Sequence, residues 1–589
     1  MFFRDAMTTE KTTGLPQGLT TTWNGALSYQ SMPKDCHLEF FSKVLARVKG
    51  ASTSDKDIEN VFSRCWSHNP QLSLRLLMQK RDCRAGAGER HVTEVCMDWL
   101  ARNHPAQALA NMENLVFYGR WKDVLDCFMT TPLADQALEF VAKRLVQDLK
   151  MYQEVTQIKA QVEALEDSDE SPQADQMRKE AKALLGRISL CAKWAPTEGG
   201  ALDRKLRKQG THTATARLAK LVWSLSRGEA DPKPPHSSLM RHYRQVLSQI
   251  REATGVLERL LCARQWSEID FSRIPSRALH IYAQKCFPAR AGERFRAWQQ
   301  DVLSGKAKVN TSQVDPYEIV YNMLYKPTDK SQLDMYEAFY RKQIEELSQR
   351  GDLMNTLVMA DVSGSMAGTP MSVSIAMAIW LSSLAKPAFR HLFMTFDDRP
   401  AFVDISTCTS LAQMVNTTKS APWGGSTNLQ GAFELLLGRA LKHRIPADQM
   451  PQRLVIVSDM QFNMACRGCS SERQLYTNYE TARARYRNAG YQMPELVFWN
   501  VNGSTQDMPV QSDTKGVMFM GGFSKNLINL LLMNQPIKTP QEQMLMALSD
   551  QRYDRICWCD AEGNVSPLGG LNRNLEGDSR APAKEEGAE

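Results

Sequence analysis

The stretch Thr356-Leu-Val-Met-Ala-Asp-Val-Ser-Gly-Ser365 marks the point where the character of the chain changes. Its first five residues form an apolar run of strand length, which reads as a buried strand, Thr356–Ala360. The segment Met371 to Leu384 that follows reads as a helix. Asp361, Ser363 and Ser365 therefore leave the end of a strand on one tight turn. One carboxylate and two hydroxyls are hard oxygen donors, suited to Mg2+ (or Mn2+/Ca2+) rather than to a softer metal.

Downstream, short β-rich runs alternate with helical patterns. The runs are Leu392–Phe396, Ala401–Ile405, Leu454–Val457, Leu496–Val501 and Val517–Met520. Helices fit Ser410–Thr417, Leu429–Leu441, Ser471–Asn488 and Ser524–Leu532. This alternation predicts a doubly wound α/β domain over 351–568, in which ligands bind at the carboxyl ends of strands. Two further loops complete the first. Trp423-Gly-Gly-Ser-Thr427-Asn428 brings a hydroxyl just before a helix, and Leu454-Val-Ile-Val-Ser-Asp459 brings a carboxylate to a strand end. The predicted metal site is thus Asp361, Ser363, Ser365, Thr427 and Asp459. Its neutral hydroxyls would ligate directly and its carboxylates partly through water. A position would stay open for a partner's carboxylate or phosphate. None of the ten histidines falls in these loops and no general base is placed there, so the site reads as binding rather than catalytic. Asp397-Asp398 is either a polar turn or a further group at the same sheet edge.

Upstream, residues 1–30 read as a flexible arm and 31–350 as almost entirely helical. Leu38–Val48, Ile58–Trp66, Leu72–Gln79 and Val92–Asn103 carry apolar residues at helical spacing. Ser54 and Asp55 look like a helix start, and Asn103-His-Pro105 like a break. Residues 150–187 read as an inserted helical hairpin around an acidic turn. The tail 569–589 has the composition of a disordered segment.

Arg204, Lys205, Arg207, Lys208, Arg217 and Lys220 cluster between Trp194 and Trp223. Such a cluster either neutralises phosphates beside stacking aromatics or forms a solvated helix face. Arg81, Arg84 and Arg90 around Gly86 and Gly88 either make an anion-binding turn or pair with Asp82 and Glu89. Tyr118-Gly-Arg-Trp reads as packing between helices.

At 589 residues, more than one domain is expected, and 23% charged residues against 43% hydrophobic argue for a globular chain. The net charge of +7 permits an anionic partner without requiring one. Thirteen scattered cysteines point to a reducing, cytoplasmic setting. Cys466 and Cys469, with Cys557 and Cys559, either supply four zinc thiolates or stay unpaired. The start of the chain lacks the apolar core of a signal peptide, and no stretch is long enough to span a membrane.

The Asp-x-Ser-x-Ser turn with Thr427 and Asp459 resembles the metal-ion-dependent adhesion site of von Willebrand factor A domains. The whole layout, helical half then A domain, resembles the TROVE-module Ro ribonucleoproteins. It resembles more closely the family known as domain of unknown function 2828. That likeness spans about 35 to 560. It is carried by Gln79-Lys-Arg-Asp-Cys-Arg-Ala-Gly-Ala-Gly-Glu-Arg90, Tyr118-Gly-Arg-Trp-Lys-Asp123, Cys191-Ala-Lys-Trp-Ala-Pro196, Trp266-Ser-Glu-Ile-Asp270 with Ile274-Pro-Ser276, and Ser458-Asp-Met-Gln-Phe462. In the Ro group the helical half is a ring of HEAT-like repeats that binds structured RNAs and RNA ends, and the A domain closes the ring. The resemblance implies a HEAT-like scaffold, a Rossmann-like A domain and structured or single-stranded RNA as partner. A protein-binding adaptor, with the metal site capturing an acidic residue, is the alternative. A metal-dependent phosphoesterase is a third.

Overall fold

The computed structural model describes residues 19–21, 27–29, 35–46, 53–166, 172–208, 214–227, 234–349, 355–397, 399–421, 429–459, 481–502, 516–531, 537 and 539–571. The chain is a helical region followed by an α/β region. Within the stretch read as an arm, β1 (Leu19–Thr21) and β2 (Leu27–Tyr29) pair antiparallel. Helices α1 (Cys36–Lys43), α2 (Asp55–His68), α3 (Pro70–Arg81) and α4 (Arg90–Asn103) follow. Ser54 caps α2 by accepting from the Asp57 amide, as its position before Ile58 predicts. A 33-residue helix, Ala134–Glu166, runs back along Pro172–Arg187. Val155, Ile158 and Val162 meet Ala174, Ala181 and Leu184 there as a separate small core.

The α/β region is built on six strands: β3 (Thr356–Ala360), β4 (Leu392–Thr395), β5 (Phe402–Asp404), β6 (Arg453–Ser458), β7 (Glu495–Asn500) and β8 (Val517–Gly521). Their order is β5-β4-β3-β6-β7-β8. All pairs are parallel except β4–β5, so the strand expected at 401–405 is a short antiparallel edge. Parallel strands covered on both faces lack polar alternation, which is why β3 reads as unbroken apolar sequence.

Those two faces meet different partners. Leu357, Met359, Leu454, Ile456, Phe498 and Phe519 face a core shared with residues 38–250. Val358, Ala360, Val455, Val457, Val497 and Met518 face a core shared with residues 257–347. Helix Thr369–Ser383 is buried along most of its length, as an all-round apolar helix must be. Its Trp380 donates Nε1–H to Gln343 Oε1 at 3.0 Å, and Tyr340 meets the Trp380 ring edge-on at 4.9 Å.

Two joints tie the halves. Helix α1 lies against β8, where Gly521 comes so close to Ser42 that a Cβ would stand 2.0 Å from the Ser42 carbonyl oxygen. The segment 551–567, which holds the hairpin β9 (Cys557–Cys559) and β10 (Val565–Pro567), returns to the helical region. The buried Arg75 reaches Asp554 at 3.3 Å. Asn111 and Gln107 accept from the Cys557 and Cys559 amides, each at 3.0 Å. Tyr118 stacks on Tyr553 at 5.6 Å and donates to the Arg552 carbonyl at 2.6 Å. The sequence boundary near 350 is therefore not a boundary in space.

Gly521→Ala forces a methyl into the Ser42 backbone. Overpacking of this kind costs about 2 kcal/mol, read as a lowered urea midpoint with an unchanged m-value. A wild-type midpoint would mean that α1 does not sit on β8.

Candidate functional site

β3 and β6 are the neighbours at which the strand order reverses direction, and the crevice beyond their carboxyl ends is where such sheets take ligands. Asp361 and Asp459 stand there, 2% and 1% exposed. Ser363 and Ser365 follow on the same turn, with their hydroxyls 3.1 Å apart. The structure thus brings together Asp361, Ser363, Ser365 and Asp459; Thr427, Asp398, Cys466 and Cys469 lie outside the described residues. Asp361 is taken up internally. Oδ1 accepts from the Ser363 amide at 2.9 Å, and Oδ2 from the Ser458 hydroxyl at 2.8 Å. Burial, and then the neighbouring Asp459, push its carboxyl up to about 6.

The expectation of Mg2+ (or Mn2+/Ca2+) is corrected by the donor chemistry. Among the described residues, the potential ligands that converge are Cys36, His37 and Cys65, whose ligand atoms all lie within 4.8 Å of one another. Two thiols and an imidazole suit Zn2+ or another transition metal, not a hard cation. Sequence reading weighed Cys466, Cys469, Cys557 and Cys559 for zinc and passed over this group. Cys36 and Cys65 stand 29 positions apart, and no short-spacing motif links them.

A second site is a cavity of about 1790 Å3. Its walls come from α3, α4 and the turns after them, from residues 189–205, 244–262 and 275–282, and from Ser524 and Asn526 of the α/β region. Asn526 donates to the Cys83 carbonyl at 3.1 Å and the Lys525 amide to Asp315 at 3.0 Å, so the α/β region closes one side. Eleven lining side chains are Arg or Lys and five are Asp or Glu. The acids are spoken for: Asp126 binds Lys122 and Lys205, Glu318 binds Arg277, and Glu258 faces Lys193. His91 adds charge, its imidazole pushed up to about 9 by Glu94 and then Asp55.

Of the predicted basic residues, Arg81, Arg84, Arg90 and Lys205 line this cavity, whereas Arg204, Arg207 and Lys208 do not. Arg81 is spent on Asp123, with Nε at 2.8 Å. Gly119 permits that pair, since a Cβ would stand 2.3 Å from Asp123 Oδ2. Arg84 donates to the Phe117 carbonyl at 2.5 Å, and Arg251 to the Ala192 carbonyl at 2.8 Å. Burial and the nearby Arg120 hold the Arg90 guanidinium below its usual pKa. In the 79–90 turn Asp82 pairs with Arg552, and Glu89 accepts from the Ala46 amide at 3.2 Å. Sequence reading missed Arg120, Lys193 and Arg251. The signal was present in two of the quoted motifs, because Arg120 of the Tyr118–Asp123 segment lies over Trp194 of the Cys191–Pro196 segment, 4.9 Å from the ring centroid.

Comparison with known families finds that a model described as domain of unknown function (DUF2828) matches residues 22–171 and 133–353, over half of the chain. The chain belongs to the DUF2828 family. A second model, domain of unknown function (DUF7788), matches residues 355–569. An uncharacterized protein of Acanthamoeba polyphaga mimivirus is 27% identical over 546 residues, covering 90% of this chain and 87% of that protein. Both family segments thus occur in one chain and meet at the cavity wall.

The raised Asp361 carboxyl makes a pH prediction. The folded protein holds this proton to higher pH than the unfolded chain does. The stability it contributes is present in full below about 4 and falls away as pH rises through about 6. Asp361→Asn removes that decline, so the variant gains about 3 kcal/mol over wild type at pH 7.5 and less at pH 4. Parallel stability–pH curves for the two proteins would rule out a raised Asp361 carboxyl.

Proposed function

We propose that this DUF2828 member is a non-catalytic RNA-binding scaffold. In this reading the helical region is a HEAT-like, TROVE-like ring and the α/β region is a von Willebrand factor A-like clasp on it. The cavity carries the reading: about 1790 Å3 of space whose basic side chains outnumber its acidic ones eleven to five. That volume exceeds the roughly 300–1,000 Å3 of a small-molecule pocket. Arg84, Arg90 and Arg251 suit a polyanion because phosphates would supply the counter-charge in a basic cavity, and at Arg90 would offset the crowding by Arg120. The Arg120–Trp194 stack offers a flat, half-buried surface for an unstacked base. Strand order and the placement of Asp361 and Asp459 support the A-domain likeness, with the sheet-end turn as a recognition surface. Among the described residues no helix is long and apolar enough to cross a membrane, and the cavity is the place where a partner would sit.

Filter binding with a single-stranded RNA tests this. Affinity falls steeply with salt, and Arg84→Ala or Arg90→Ala each weakens binding about tenfold and lowers the salt slope by roughly 1. Lys208→Ala, on an exposed side chain outside the cavity, leaves binding unchanged. Absence of an RNA complex at low salt, or equal loss in all three variants, would sink the reading.

A further inference from the structure

We propose that Cys36, His37 and Cys65 bind one structural zinc ion, with the neighbouring Asp35 carboxylate balancing its charge. The site lies on α1 and α2 and does not depend on the RNA reading. Cys36 and His37 open α1, and Cys65 lies on α2. His37 Nδ1 stands 3.9 Å from Cys36 Sγ, and all three ligand atoms lie within 4.8 Å of one another. Tetrahedral zinc with Zn–S near 2.3 Å and Zn–N near 2.0 Å sets ligand atoms about 3.5 Å apart. Closing from 4.8 Å or less to that spacing takes only small side-chain rotations.

Three observations favour an ion over a pair of idle thiols. The first is the orientation of His37. Ser73 Oγ donates to the Asn69 carbonyl at 2.8 Å, so towards His37 Nε2, 3.3 Å away, it acts as acceptor. Nε2 then carries the ring proton, and the Nδ1 lone pair faces Cys36. This is the outer hydrogen bond that zinc-bound histidines use. The second is Asp35. Its Oδ1 caps α1 by accepting from the His37 and Leu38 amides, each at 3.0 Å, and lies 3.9 Å from His37 Nδ1. Its Oδ2 is buried without a hydrogen-bond partner. A buried carboxylate oxygen left unsatisfied is costly, and a cation beside it removes that cost. The third is enclosure: Cys65 is 0% and His37 3% exposed and Cys36 is half-buried, so two of the three donors are shut off from solvent, as in a structural site.

Binding replaces the two thiol protons by the metal, and those protons leave to solvent. The ion would pin the start of α1 to α2. The other end of α1 carries the Phe41 carbonyl that accepts from buried Lys80 at 2.8 Å, and the Ser42 carbonyl beside Gly521. Zinc would therefore stiffen the element that joins the helical region to the sheet.

The test uses the full-length protein purified without chelator. Elemental analysis gives about one zinc per chain, and Cys65→Ser and Cys36→Ser lose it. Cys466→Ser and Cys557→Ser keep it. Because a buried Cys65→Ser chain could misfold, wild-type protein stripped of metal is also titrated with Co2+. A thiolate-to-cobalt charge-transfer band that saturates at about one equivalent, and that Zn2+ abolishes, supports the site. His37→Gln keeps both thiols and weakens Co2+ binding at least tenfold. The proposal is overturned by a folded wild type that takes up neither metal. Zinc retained in Cys65→Ser, zinc lost in Cys466→Ser, or a mapped Cys36–Cys65 disulfide would overturn it equally.

Discussion

A parallel sheet must be covered on both faces, because each strand is apolar on both. In this chain helices of the α/β region lie on both faces, Leu429–Lys442 in one core and Thr369–Ser383 in the other, and different stretches of the helical region continue each core. Odd positions of β3 share a core with residues 38–250, and even positions share one with residues 257–347. The sheet is therefore the shared wall of two cores that both run on into the helical region. This constraint accounts for features that look unrelated along the chain. Helix Thr369–Ser383 can be apolar all round because sheet and helices enclose it. Gly521 must lack a side chain because the Ser42 backbone occupies that space.

Much of the α/β region was legible because its signals are local. Strand runs and the polar turn after Ala360 are each encoded within about ten residues. β5 was harder: three residues at an edge, antiparallel to β4, leave little periodicity to read. The carboxylate pair was also legible, since Asp361 and Asp459 each end an unmistakable apolar strand. Its chemistry was not. Asp361 spends its oxygens on Ser363 and Ser458, contacts that sequence distance conceals.

The cavity shows the same limit from the other side. Density of basic residues drew attention to 204–208, yet the helix holding them turns Asp203 and Leu206 inward and leaves most of its cations outside. Arg207 closes on Asp203 at 2.9 Å. Charge density along a chain measures the solvated face of a helix as readily as a binding wall. The cavity wall is instead assembled from one or two cations per element, at 84, 90, 120, 193 and 251. Their partners differ. Arg84 and Arg251 rest on the Phe117 and Ala192 carbonyls, Arg120 covers Trp194 while pairing with Asp123 at 2.9 Å, and Lys193 faces Glu258 at 3.5 Å. These pairings are invisible until the fold is known.

The same long-range logic decides what counts as a domain here. Composition divides the chain near 350, and the two family matches divide it at 353 and 355. Packing divides it differently. Residues 551–567 lie on helices of the first hundred or so residues through Arg75, Gln107, Asn111 and Tyr118. Arg75 is 2% exposed in the whole chain, where its partners are Asp554 and the Leu548 and Gly569 carbonyls, and a chain cut at 350 would lose all three. The helical region alone would thus lack both a sheet face over its core and a counter-charge within it. The cavity belongs to both regions, because Ser524 and Asn526 of the α/β region line it beside the helical residues.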